Sequence, residues 1–107
     1  MSKVYAVYER ARFMNNGDED GYYVLSICTT EKEAEKHIER YFNSRLKITQ
    51  NHLSYDPAKT KVETRPTYKC IEAYDREEKT CDTYEYYYRI FPLDAINPIG
   101  VLDEDEE

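Results

Sequence analysis

Residues 84–91, YEYYYRIF, set four tyrosines within five positions and place Glu85 and Arg89 among them. Tyrosine joins a large rigid ring to a hydroxyl and loses little conformational entropy when fixed, so such a cluster suits a binding surface as well as a core. Twelve residues are tyrosine, against three phenylalanines and no tryptophan, so nearly all aromatic surface comes from one residue type. Glu72 and Glu85 lie on aromatic segments, where two carboxylates could form an acid–base pair of the glycosidase kind. With arginine nearby on an open sheet, they read instead as an exposed charge pattern. His37 and His52 have no nucleophile at a recognisable spacing, and Gly17, Gly21 and Gly100 form no phosphate loop. Cys28, Cys70 and Cys81 contain no CxxC and read as small apolar residues of a reduced compartment, not as a zinc site. These types and spacings predict no catalysis, no cofactor and no metal.

The elements that must position these residues follow from periodicity. KVYAVYERAR (3–12) alternates and is apolar on both faces in its first half, which predicts an interior strand. FMNNGDEDG then breaks the pattern. YYVLSICT (22–29) predicts a second strand, with Tyr23, Leu25 and Ile27 on one side and Tyr22, Val24 and Cys28 on the other. The two can pair as an antiparallel hairpin. Thr30 followed by Glu33 is a capping box, and Ala34, Ile38, Tyr41, Phe42, Leu46 and Leu53 form an apolar stripe. This predicts a helix from Glu31 to Ser54, stopped by Asp56-Pro57. AKTKVETRP (58–66) reads as a polar connector. TYKCIEAYD (67–75) and CDTYEYYYRIF (81–91) read as strands joined by the turn REEK. Residues 93–102 are apolar but irregular.

The expected fold is therefore α+β: a four-stranded antiparallel sheet in the order β-β-α-β-β, with one long helix on one face. One domain would span 1–102, with an acidic tail at 103–107. A REEK turn sets Tyr74 opposite Cys81, Ile71 opposite Tyr84 and Cys70 opposite Glu85. That register sets Cys70 away from Cys81 and disfavours a disulfide between them. It sends Tyr84, Tyr86, Tyr88, Ile90, Ile71 and Ala73 toward the helix. Tyr68, Cys70, Glu72, Tyr74, Glu85, Tyr87, Arg89 and Phe91 fall on the open side.

Twenty-two acids against fifteen bases give a net charge of -7, but residues 103–107 are all acidic. The body carries 17 acids and 15 bases, a net of -2. A second acidic knot, Asp18, Glu19 and Asp20, reads as a loop. A negative chain is repelled by phosphate, and the basic residues of an RNA-binding sheet are missing, so no direct nucleic-acid contact is expected. No apolar run approaches the roughly 20 residues of a membrane span, and nothing resembles an export signal, so a cytoplasmic protein without membrane contact is expected.

KVYAVYE and YYVLSICTTEKEAEKHIERY resemble small strand-strand-helix proteins of phages, prophages and firmicute genomes, over residues 3–42. The resemblance implies a compact accessory protein, not an enzyme, and by analogy an inhibitor of host machinery of the anti-CRISPR or other anti-defence type. The reading is a non-enzymatic interaction protein that binds a host protein through Tyr68, Tyr74, Tyr87, Phe91, Glu72 and Glu85. Asp18, Glu19 and Asp20 would engage a basic patch on that partner, and a homodimer is compatible with the same face. The alternative is a module that binds a small molecule or nucleotide signal, held by tyrosines at a dimer interface.

Overall fold

In the computed structural model, which describes residues 3–13 and 21–92, these patterns resolve into five strands and one α-helix. They are β1 (Lys3–Phe13), β2 (Gly21–Cys28), α1 (Glu31–Asn51), β3 (Lys61–Arg65), β4 (Tyr68–Asp75) and β5 (Thr80–Pro92), with a 3-10 turn at Pro57–Lys59. Every strand pairing is antiparallel and the spatial order is β2-β1-β5-β4-β3. Asp18, Glu19, Asp20, residues 93–102 and the tail 103–107 lie outside the described residues. No helix among those described is long and apolar enough to cross a membrane.

The sheet has five strands, not four. The additional one, β3, lies in the stretch read as a connector. Its residues KVETR are all exposed, because this edge strand lies where little is buried on either face. Alternation reveals a strand through the apolar residues of its buried face, and here Val62, opposite Ile71, is the one such residue.

Helix α1 begins as its sequence dictates. The Thr30 hydroxyl accepts from the Glu33 amide, which satisfies one orphan donor of the first turn. Ala34, Ile38 and Phe42 are buried against Tyr5, Val7, Ala11, Ile71, Ala73, Tyr84 and Tyr86 of the sheet, with Tyr41 and Leu46 at the margin. The helix ends at Asn51 rather than Ser54, and Leu53 is 90% exposed, so it does not belong to the apolar stripe. The cause lies in the chain that follows. Ser54 and Asp56 bond to Arg76 and Tyr74 at the end of β4, and Tyr55 bridges to Asp75. Those bonds take residues 54–56 out of the helix.

Strand β5 is the centre of the sheet, between β1 and β4. Its register with β4 places Tyr74 opposite Cys81, Ile71 opposite Tyr84 and Cys70 opposite Glu85, as the REEK turn requires. In that turn the Asp75 carboxylate accepts from the Glu77 and Glu78 amides, and Lys79 takes a left-handed backbone with φ 58°. In β2 the alternation fails at one point. The register shifts between Val7 and Tyr8, so Leu25 is an extra residue on β2. Beyond this bulge the faces exchange: Cys28 is buried in the helix-side core, whereas Ile27 stands opposite Ala6 on the open side and is 40% exposed. Ile90 faces the helix side but is 51% exposed, because it lies past Tyr88, whose hydroxyl already reaches Glu31 at the helix start.

Candidate functional site

The open side of the sheet is organised in rows that run across the strands. In one row Tyr87 of β5 sits between Tyr8 of β1 and Tyr68 of β4. The Tyr8 and Tyr87 rings stack, 5.6 Å apart and within 8° of parallel, and the Arg89 guanidinium lies 5.9 Å from the Tyr8 ring. In the next row Arg10, Glu85 and Cys70 stand side by side. Glu85 receives the Tyr68 hydroxyl at 2.5 Å, Arg12 at 3.3 Å and Arg10 at 3.9 Å, and Arg10 also covers the Tyr22 ring at 5.0 Å.

This geometry corrects the reading of Glu85 as an exposed charge. Its side chain is 12% exposed and two arginines neutralise it. A carboxylate with little water around it must be paired, and the interior position of β5 supplies partners from both neighbouring strands. The negative charge of Glu85 is therefore offset locally. Glu72, one row away, remains exposed. Tyr87 and Phe91 are half-buried, for they close over Ala6 and Tyr8, which are 0% and 2% exposed. The face thus has a small core of its own. Tyr74, at the far end, lies beneath the Lys59 ammonium at 4.8 Å.

Tyr68, Tyr87 and Glu85 are therefore brought together, with Phe91 beside them, while Glu72 and Tyr74 are offset along β4. Asp18, Glu19 and Asp20 are outside the described residues. Sequence reading missed Tyr8, Arg10 and Arg12. Their alternation in YERAR was visible, but nothing local to either segment announces that β1 pairs with β5.

On the helix side the hydroxyls of buried or half-buried tyrosines also donate to carboxylates. Tyr86 donates to Glu9 at 2.5 Å, and Arg45 approaches the same carboxylate at 3.5 Å. Tyr55 donates to Asp82 at 2.7 Å, and Tyr88 donates to Glu31. Burial, reinforced by the carboxylate partner, raises Tyr55, Tyr68 and Tyr86 well above the ordinary tyrosine range. The hydrogen bond to Glu31 pushes Tyr88 up to about 12. Burial also raises the thiols of Cys70 and Cys81, and all three cysteines are free. Phenols and thiols shifted in this direction stay protonated and are poor nucleophiles.

The clefts lie on the helix side or at its margins. One of about 200 Å³ is lined by Glu9, Leu25, Tyr41, Arg45, Ile48 and Tyr86. Another of about 380 Å³, between α1 and the β3–β4 turn, is edged by Lys32, Lys36, Arg65 and Lys69 together with Glu35 and Glu39. Among the described residues no group of three histidine, cysteine or acidic side chains is disposed to hold a metal ion. Compared with family models, curated proteins and solved structures, the chain shows no match.

Proposed function

We propose that this chain is a non-catalytic interaction protein whose open sheet face docks on another protein. One observation carries this reading. The helix covers one face of the sheet, and the opposite face presents Tyr68, Tyr74, Tyr87 and Phe91 held in place by stacking, by the Arg10–Glu85–Arg12 cluster and by Lys59. Aromatic side chains fixed before contact lose little freedom on binding, which is the property of interface hot spots. Across this face Arg10, Arg12, Lys61, Arg65 and Arg89 stand against Glu63, Glu72 and Glu85. The part of a partner lying on the sheet is accordingly neutral to acidic. A basic patch is called for only opposite the segment that bears Asp18, Glu19 and Asp20. The resemblance of residues 3–42 to small phage and prophage proteins makes a host protein the class of partner, with inhibition of a defence system as the effect.

The pairing of ionisable groups supports binding over catalysis. Glu9, Glu31, Asp82 and Glu85 are each engaged by a tyrosine hydroxyl. For the small-molecule alternative, neither cleft described above opens on the tyrosine face, and the larger one is edged by charged side chains and holds no tyrosine.

The test uses Glu72→Arg and Tyr74→Ala, both on the face and outside the helix-side core. Tagged wild-type chain retains a host protein from bacterial lysate, and both variants lose it while melting like the wild type. A change of about 1 kcal/mol or more in affinity is expected for Tyr74→Ala. Equal retention by all three chains overturns the use of this face.

A further inference from the structure

Among the described residues, the two edges of the sheet are built differently. Edge strand β3 has five residues and alternates Lys61, Glu63 and Arg65 along one face, a charge pattern that discourages a further strand. The other edge, β2, has eight residues, GYYVLSIC, without a charge or a proline. Tyr22, Tyr23, Val24 and Ile27 are 40–55% exposed, so half of the exposed large apolar residues among those described lie on this one strand. Both faces of the edge are apolar. Tyr22, Val24 and Ile27 stand on the open side, while Tyr23 stands on the helix side. There Leu25 lines the same cleft as Ile48, which is 54% exposed.

We infer that β2 is the seam of a symmetric dimer, in which two copies of this chain pair their β2 strands antiparallel and join two five-stranded sheets into one of ten.

An edge strand presents unpaired N–H and C=O groups, and a neutral apolar one is a template for pairing. The half-exposed side chains of Tyr22, Tyr23, Val24, Ile27 and Ile48 hold roughly 450 Å² of surface, over half of the about 800 Å² per partner in a stable interface. The strand's own backbone and the cleft beside it supply more. Charge does not oppose a copy at this edge. The chain is at -7 and repels its copies, but β2 carries no charge, so this edge approaches itself without a like-charge penalty.

The bulge limits the register. Leu25, the extra residue, ends the regular ladder of Gly21 to Val24, so the pairing is placed around Tyr23, with Gly21 of each copy at Leu25 of the other and residues 26–28 outside it. A two-fold axis there sets Tyr22 of each copy against Val24 of the other on the open side, an aromatic–β-branched pair, and brings the two Tyr23 rings together on the helix side. Arg10 already holds the Tyr22 ring from the adjacent strand. This seam is separate from the tyrosine face, which it leaves free.

Sedimentation from micromolar to millimolar concentration tests the seam. The wild-type mass is expected to rise to twice the chain mass of 12.8 kDa. Val24→Lys and Tyr23→Glu, which place a charge on opposite sides of β2, each return it to the single-chain value with an unchanged circular-dichroism spectrum. Val62→Lys on β3, and Glu72→Arg and Tyr74→Ala on the tyrosine face, leave the doubled mass intact. If one β2 variant fails to fold, the other decides. A wild-type chain of single mass throughout, a doubled mass in the folded β2 variants, or dissociation by Val62→Lys alone would each overturn the inference.

Discussion

A tyrosine hydroxyl that donates to a carboxylate satisfies two polar groups that would otherwise be costly to bury. Four such pairs stand among the described residues, and they give a reason for tyrosine where phenylalanine would fill the same space. Tyr86, 1% exposed, separates the contributions of ring and hydroxyl. Tyr86→Phe keeps the ring and removes one donor from Glu9, for a loss of about 1–3 kcal/mol in chemical denaturation. Tyr86→Ala also leaves a cavity and should cost about 3–5 kcal/mol. If the two variants melt alike, the ring contributes nothing beyond its hydroxyl. The pairs also set a response to alkali. Unfolded tyrosine ionises near pH 10, and in the fold Tyr55, Tyr68, Tyr86 and Tyr88 ionise later, so the unfolded chain releases these protons first. Their contribution is complete below about pH 10 and is lost as pH rises through the folded values, about 12 for Tyr88. The melting temperature should be insensitive to these groups from neutrality to about pH 10 and fall beyond it, with a late fraction of phenolate absorbance appearing as the protein unfolds. Titration of all twelve tyrosines together near pH 10 in an intact fold would contradict this. Alternation assigned Tyr86 and Tyr87 to opposite faces, and that much of the site was legible. The partners Glu9, Arg45, Arg10 and Arg12 were not, because they belong to pairings between distant segments.

The elements read best where the signal was local. The capping box marked the helix start, so Thr30→Ala should lower stability by about 1 kcal/mol, and Ile38→Ala, at a site with no exposure, by about 2–5 kcal/mol. Leu53→Ala should change the melting temperature hardly at all, since the side chain is in water. A large loss there would mean that the helix end is wrongly placed. The REEK turn read correctly as a register, yet it contains a left-handed lysine that no pattern flagged. Lys79→Gly relieves that backbone and should stabilise by roughly 0.5–1 kcal/mol, seen as a raised melting temperature. Three features escaped the sequence for physical reasons. Strand β3 buries too little to show an apolar face. The helix ends early because bonds to β4 draw residues 54–56 away. The β2 bulge inverts a two-residue period that looks unbroken in the letters.

At the scale of the molecule, the order β2-β1-β5-β4-β3 puts the first and last strands side by side in the interior of the sheet, with Lys3 opposite Pro92. The β1–β2 and β4–β5 hairpins form one sheet, since β5 pairs with β1. A fragment of residues 1–79 therefore lacks the central strand, and its helix has neither Tyr84 nor Tyr86 to pack against. It should show no cooperative melt, and adding a peptide of residues 80–92 should restore one. A cooperative transition in the fragment alone would show that β1, β2 and α1 hold together without β5. The same adjacency governs how the chain is made. Among the described strands translation delivers β1 first and β5 last, so β1 has only β2 to pair with, and its other edge stays open, until β5 leaves the ribosome. A nascent chain of this order can assemble its core only once β5 has left the ribosome. Until then Val7 and Tyr8 of β1 remain available to chaperones, and pausing within the codons for β5 would lengthen that exposure.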